Sequence, residues 1–521
     1  WVLTLACAGQ FMVVLDISVV NVALPSMQAA LGFDPVSLGW VVNGYALVFA
    51  GFLLLGGRLT DLYGRKRIFV AGLALFTAAS LVGGLASTPG MLIAARATQG
   101  LGAAVLAPAT LTILTTAFPE GPQRTRALAT WSAVGVGGGA AGNLIGGMLT
   151  QYLSWRWILL INVPIGALAI LLGVGFLTQN PDRDHGRGPG HRLDVPGAVS
   201  ATVGLASLTY GITQTQTRGW GNPVTVVALA IGIVALAVFV VVEARFTRAP
   251  LMPLRLFRAR AIACGNVVML LAGACFMPMW YFLSLFMQNV LHYAALHTGI
   301  GFLPHAVVTI VVGARFTPWI MRYVDARTLI TVGAIVAGAG FWWQSHITPD
   351  SDYLSGILGP GIVMSVGGGL LITPITTTVT SGVSESDAGA ASGLMNTTKQ
   401  IGGALGLAVL VTIAASPIHT PQALAAGYDR AFLTIAAILV VVAAAALTLP
   451  AGRDAPMAPP ADPLRKQGSA SATSTEESPT LRHGLTIAST RTRLSARRSP
   501  GTAASTPRTP PRCVRTSQAW W

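Results

Sequence analysis

The chain is patterned in long apolar runs separated by short polar loops, not in the alternation of strands or the one-sided stripe of soluble helices. Fourteen runs stand out, at about residues 1–25, 36–57, 68–87, 89–115, 127–150, 156–178, 194–214, 222–243, 260–286, 296–314, 327–346, 353–375, 389–414 and 430–450. Each is close to the roughly 20 residues that a helix needs to cross the hydrocarbon core, so the pattern predicts fourteen transmembrane helices. The division of 353–414 is the weakest, because Gly and Thr dilute its apolar signal. The first run is too long for a cleavable leader and lacks a basic flank and cleavage site, so it is read as a span. The chain starts inside it at Trp1, which leaves the completeness of the N-terminus open.

The loops add an orientation. With the N-terminus in the cytoplasm, the inner loops hold 17 Lys and Arg, from Arg58 to Arg327, and the outer loops hold 3, namely Arg156, Arg218 and Arg430. This is the positive-inside bias, and a miscounted span would scramble it. Both termini are therefore expected inside. After residue 450 the pattern stops. Residues 451–521 are rich in Ser, Thr, Pro, Ala and Arg, with eleven basic and four acidic side chains. Such a segment cannot bury enough apolar surface to fold, so a disordered basic cytoplasmic tail is expected.

Composition narrows the class. Only 10% of the residues are charged, against a norm of about one in four. The net charge of +15 would alone suit a nucleic-acid binder. Split between inner loops and tail, it reads instead as topogenic charge, and no nucleic-acid partner is expected. Cys7, Cys264, Cys275 and Cys513 form neither a disulfide framework nor a metal spacing. No HExxH, Walker loop or pair of acids is present, which argues against an enzyme and an ATP-driven pump.

A few polar residues stand where the membrane penalises them. Asp16 in the first run is the acid placed deep in a span, where a carboxylate costs about 2.5–3.5 kcal/mol and should face a cavity or a partner. Arg96 is the guanidinium placed well inside the fourth run. Counted at 1.5 Å per residue, Asp16 lies roughly 14 Å and Arg96 roughly 10 Å below the outer surface, which permits pairing. The fifth run is dense in glycine, and Gly138, Gly142 and Gly146 form an i, i+4, i+8 face on which another helix can approach closely. Gly137, Gly139 and Gly142 also satisfy G-x-G-x-x-G, but no strand–turn–helix context supports a dinucleotide site. In the later runs Asn266, Gln288, Asn289, His305, Asn396 and Gln400 stand at mid-depth, each serving either a cavity or a helix–helix hydrogen bond. Phe276, Trp280, Tyr281, Phe282 and Phe286 would give a cavity an aromatic wall suited to amphipathic substrates, cationic ones included.

The loop after the second run carries Gly57, Asp61 and Gly64 in the frame G-x-x-x-D-x-x-G, followed by Arg65, Lys66 and Arg67. It resembles the cytoplasmic signature loop of the major facilitator superfamily, which gates the inner side. Arg322, Asp325 and Arg327 form a worn copy of it, as expected for two six-span halves related by an internal repeat. The stretch from Leu15 through Asp16 and Asn21 to Pro25 resembles the first-span motif of the fourteen-span drug:proton antiporter family (EmrB/QacA-type). Arg96 and Gly100 match the superfamily's fourth-span motif. Gly138, Gly142, Gly146 and Gly147 resemble the antiporter motif G-x-x-x-G-P-x-x-G-G, with Asn143 in place of its proline. Lys399 stands where that family more often has Arg.

The resemblance covers about residues 1–450. It implies an all-α major facilitator fold: a six-helix bundle over 1–178, two linker spans over 179–258, a second six-helix bundle over 259–450, and the tail over 451–521. It also implies a monomeric proton-coupled exporter in the inner membrane of a bacterium. Such a protein needs no cofactor, draws on the proton gradient, and binds protons, lipid and a small amphipathic substrate. Asp16 and Arg96 would serve proton coupling; Asn21 and the mid-depth residues of the later runs would line the substrate cavity. Asn143 leaves a metabolite transporter, and import, as the alternative; a membrane enzyme or sensor is the rival of another class.

Overall fold

The computed structural model of the protein describes residues 1–118, 121–177, 194–246, 254–380, 385–415 and 420–450. The expected tail and the loop cations Arg183, Arg187, Arg192 and Arg248 lie outside these residues, as does the side chain of Asp61. Fourteen long helices make up the described chain. They are α1 (Val2–Leu31), α2 (Trp40–Tyr63), α3 (Arg65–Gly84), α4 (Pro89–Ala117) and α5 (Pro122–Tyr152). Next come α6 (Trp157–Phe176), α7 (Val195–Arg218), α8 (Pro223–Arg245), α9 (Arg260–Val290) and α10 (Ala295–Ile320). The last four are α11 (Ala326–Gln344), α12 (Leu354–Thr380), α13 (Glu385–Ala414) and α14 (Pro421–Ala446).

Thirteen of these are long and apolar enough to cross a membrane. The other, α5, has 31 residues, ample for a crossing, but its glycines dilute the apolar signal that marks the rest. The last span needs a correction. Expected over 430–450, it begins instead at Pro421, so Asp429 and the supposed outer-loop Arg430 are helical residues. Side-chain caps set several helix starts. Thr88, Asp194, Asn222, Asp325 and Thr420 each accept a backbone N–H of the first turn, satisfying a donor that the helix leaves free. Gly64 joins α2 to α3 at φ 88°, a backbone conformation that costs any L-residue with a Cβ.

The helices pack as a twice-used pattern with a pair inserted. In the first half α1 lies on α5, α3 on α4 and α3 on α6; in the second half α9 lies on α13, α11 on α12 and α11 on α14. The halves meet along α1–α9, α2–α13 and α5–α10. The inserted α7 packs on α8 and also on α2 and α13.

Glycine determines the closest approaches. A Cβ on Gly138 would stand 3.1 Å from the Phe11 ring, on Gly142 2.6 Å from Ser18 Cβ, and on Gly146 2.9 Å from the Val19 carbonyl, so this face of α5 is seated on α1. Gly147 points elsewhere, its would-be Cβ 2.6 Å from the Ala295 carbonyl of α10. Gly299 returns the contact against the Asn143 carbonyl at 2.4 Å, which closes the seam between α5 and α10 backbone to backbone.

Gly142→Ala and Gly146→Ala should each destabilise the protein by about 1–3 kcal/mol, the usual range for overpacking. Gly137→Ala, with open space at its Cβ, should be neutral. Melting temperatures of the detergent-purified protein measure this, and equal values for all three would show that α1 does not rest on α5. The Asp325 cap should be pH-sensitive. Hydrogen bonding from Thr328, by hydroxyl and then by backbone N–H, holds the Asp325 carboxyl below the ordinary carboxylate range, although slight desolvation opposes it. The cap's contribution is thus complete above the unfolded-state value of about 3.9 and lost as pH falls through the lowered one. Asp325→Ala should speed amide exchange in the first turn of α11 at neutral pH and make no difference in strong acid.

Candidate functional site

The site grows from one residue. Asp16 stands at the middle of α1, fully buried, where an unpaired carboxylate would be untenable. Three other helices supply what it needs. From α4, Arg96 Nη1 donates to Asp16 Oδ2 at 2.5 Å, forming a buried ion pair. One turn on, Gln99 Nε2 donates to Asp16 Oδ1 at 2.6 Å, and its Oε1 accepts from Arg96 Nη1 at 2.7 Å. From α6, Asn162 Nδ2 donates to the same Asp16 Oδ1 at 3.0 Å. From α3, Ser80 Oγ accepts from Gln99 at 2.7 Å and from Asn162 at 3.4 Å.

Arg96 is held from the other side as well. Its Nε donates to the Val41 carbonyl of α2 at 3.2 Å, and its guanidinium lies 4.5 Å from the centre of the Tyr45 ring. The spacing of Arg96 and Gly100 explains this. The two share one helix face, and a Cβ on Gly100 would stand 2.4 Å from the Tyr45 carbonyl. Glycine therefore lets α4 lie close on α2, and Arg96, one turn away, reaches the α2 backbone.

Beside this network, between the halves, lies a cavity of about 330 Å³. Arg96 is part of its wall, so one side chain belongs both to the ion pair and to the cavity. From the first half Asn21, Asn43, Tyr45 and Asn143 line it; from the second, Phe276, Trp280, Lys399 and Gln400. The buried side-chain carbonyls of Asn43 and Asn143 have no hydrogen-bond partner among the described residues.

The expected cavity residues separate. Asn21 and Gln400 line the central cavity. Gln288 and Asn289 line a second cavity of about 500 Å³, near the end of the bundle where α1 finishes. Gln288 Nε2 donates to the Val22 carbonyl at 2.9 Å, tying α9 to α1. His305 faces neither cavity. It is fully buried between α10 and α12, in ring contact with Trp280 and Phe302, and both its ring nitrogens lack partners among the described residues. Gly361 leaves it room. Asn396 is exposed and donates to Ser392 of its own helix at 3.3 Å. Placing these four on one cavity required depth alone; helix rotation separated them. The aromatic wall divides too: Phe276 and Trp280 face the central cavity, whereas Phe286 is core.

Of the signature loop, Gly57 lies against Pro108, and Lys66 Nζ donates to the Val174 carbonyl at 2.7 Å, in the last turn of α6 where carbonyls lack helical partners. Arg65 begins α3. Ser80, Asn162, Tyr45 and Asn43 are not among the residues singled out from the sequence. Ser80 and Asn162 were visible as polar residues in otherwise apolar spans.

Comparison with known proteins places this arrangement. Residues 6–407 match the profile of the Major Facilitator Superfamily. The chain is 56% identical over 450 residues to the cephamycin export protein CmcT of Amycolatopsis lactamdurans, covering 86% of this chain and 92% of that one. It is 37% identical to the puromycin resistance protein pur8 of Streptomyces alboniger, covering 86% and 91%. It is 33% identical to the tetracenomycin C resistance and export protein of Streptomyces glaucescens, covering 80% and 76%. Among solved structures, a mutant of the nucleoside transporter NupG shares the fold at a TM-score of 0.60 and 14% identity, over 85% of this chain and 99% of that one. The chain is a membrane transporter of the major facilitator superfamily, related to its antibiotic export and resistance proteins.

Proposed function

We propose that this transporter exports an amphipathic, antibiotic-like small molecule from a bacterial cell in exchange for protons, by alternating access of the central cavity. The observation that carries this reading is the Asp16–Arg96 pair, buried at mid-membrane with Arg96 in the cavity wall. A proton on Asp16 removes half of the pair. Arg96 then loses its counter-charge while still facing the substrate space, so protonation and substrate binding bear on the same side chain. The names of the relatives, exporters of or resistance proteins to antibiotics, support the direction and the substrate class.

The contacts between the halves support an assignment of state. Ser284 Oγ donates to the Asn21 carbonyl at 2.6 Å, Gln288 to that of Val22, and the α5–α10 glycine contacts lie in the same half of the bundle. With the cations of the other end in the cytoplasm, this closed end is the outer one. On this reading the ion pair belongs to the state that follows proton release, with the outer end shut. A proton arriving from outside in the opposite state would weaken the pair and favour return.

Asp16→Asn should fold but lose pH-gradient-driven efflux by at least about tenfold, while keeping exchange driven by a substrate gradient. Reconstituted proteoliposomes measure both, and full gradient-driven efflux by the variant would remove Asp16 from coupling. Expression in a pump-deficient bacterium, with and without an uncoupler, tests export itself: resistance to at least one antibiotic or dye should appear and vanish with the uncoupler. Arg96→Gln leaves Asp16 buried without its cation, a change that costs roughly 3–5 kcal/mol when a buried pair is broken. It should lower both thermal stability and transport, unlike Asp16→Asn.

A further inference from the structure

The central cavity has a sign. Among the described residues its wall carries two cations, Arg96 and Lys399, and no carboxylate. They are not equivalent. Arg96 is neutralised by Asp16 directly behind it. Lys399 has no ion-pair or hydrogen-bond partner among the described residues. It stands near the middle of α13, roughly 21 Å from either end of the helix at 1.5 Å per residue, too deep to reach bulk water by stretching. Its backbone is fixed. A Cβ on Gly273 of α9 would stand 2.3 Å from the Lys399 carbonyl, and one on Gly403 would stand 2.3 Å from Met277 Sδ, so α13 is seated directly on α9.

An unpaired ammonium at this depth is costly unless something in the cavity answers it. The rest of the wall shows what else the occupant must satisfy. Phe276, Trp280 and Ile310 offer an apolar surface, and the amides of Asn21, Asn143 and Gln400 can donate to further oxygens. An aromatic wall also suits cations, but no acid faces this one among the described residues. We propose that the substrate is an amphipathic organic monoanion whose carboxylate is seated at Lys399. This rests on the export reading above and adds the substrate's charge. It also makes the cycle more electrogenic: an anion leaving as a proton enters moves one more charge than a neutral substrate does, in the direction that an inside-negative potential favours.

The test uses three probes with one fluorescent body: dansylglycine (anionic), dansylglycinamide (neutral) and dansyl-ethylenediamine (cationic). Binding to the full-length purified protein is read by dansyl fluorescence, and gradient-driven transport in proteoliposomes. The wild type should bind the carboxylate at least about tenfold more tightly than either analogue, and a potential, inside negative on the side from which substrate leaves, should accelerate its transport more than that of the amide. Lys399→Gln should shrink the binding preference to within about twofold, Lys399→Arg should keep it, and Lys399→Glu should reverse it toward the amine. Elution on size exclusion establishes that each variant is folded, and the Arg variant keeps the test open if Gln or Glu fails to fold. Equal binding of the three probes, preference for the amine, no binding of the carboxylate, or an unchanged preference in Lys399→Gln would each overturn the assignment. If the amide or the amine is nevertheless exported against its gradient, the export reading stands without it. If uncoupler-sensitive resistance is also absent, that reading falls as well.

Discussion

A carboxylate at the centre of a 30-residue apolar helix is the constraint around which the first half of this protein is organised. Lipid offers Asp16 nothing, so both carboxylate oxygens must be answered by protein. Arg96, Gln99 and Asn162 do so from α4 and α6, and Ser80 of α3 ties the two amides together. For these groups to meet within hydrogen-bond distance, the helices must lie closer than large side chains allow. Gly100 on Tyr45 and Gly102 on Phe76 bring α4 against α2 and α3. The glycines of the fourth span thus provide the close approach that the ion pair needs.

The same reasoning explains why the site faces the cavity through Arg96 and not through Asp16. A buried acid needs several donors and is enclosed by them, and Asp16 is fully buried. A guanidinium has five N–H groups in a plane and can be held at one edge while another remains exposed. Arg96 spends Nη1 on Asp16 and Gln99 and Nε on Val41, and still contributes to the wall of the central cavity. One side chain thus joins the buried carboxylate to the wall of the central cavity.

Much of this was legible in the sequence, and for a physical reason. The bilayer imposes length and hydropathy on each span, so thirteen of the helices announce themselves. Asp16 and Arg96 stood out because the same bilayer makes ionised groups rare, and similar depth was enough to suggest their contact. What depth cannot give is rotation about the helix axis. His305 and Gln400 looked alike from the sequence, yet one is sealed between α10 and α12 and the other faces the cavity. Lys399 was visible only as a substitution in a motif, because its meaning depends on which neighbours lack a carboxylate. The start of α14 was misplaced for another reason: Asp429 and Arg430 lower the local hydropathy, although Thr420 caps a helix that already contains them.

The two inserted helices break the symmetry of the halves in a way that bears on their motion. The seams α2–α13 and α5–α10 are equivalent under exchange of the halves, but only the first is covered by α7 among the described residues. Thr202 of α7 fills the space left by Gly51 of α2, and Gln216 donates to the Thr412 carbonyl of α13. One helix thus holds both halves along a single seam. Rocking that opened both seams equally would have to break one of these attachments in every cycle. Rocking that keeps α7 seated moves the halves chiefly at the α5–α10 seam, where contact rests on glycine against backbone carbonyl and on a Gln151–Leu296 hydrogen bond. Asn143 lies in that seam, with its backbone under Gly299 and its side chain in the cavity, at the position where the antiporter motif has proline. Proline would remove an N–H from the α5 hydrogen-bond ladder and bend the helix there. Asparagine keeps the ladder and adds a polar group to the cavity wall, so at this seam the sequence has a cavity-facing amide in place of a built-in bend.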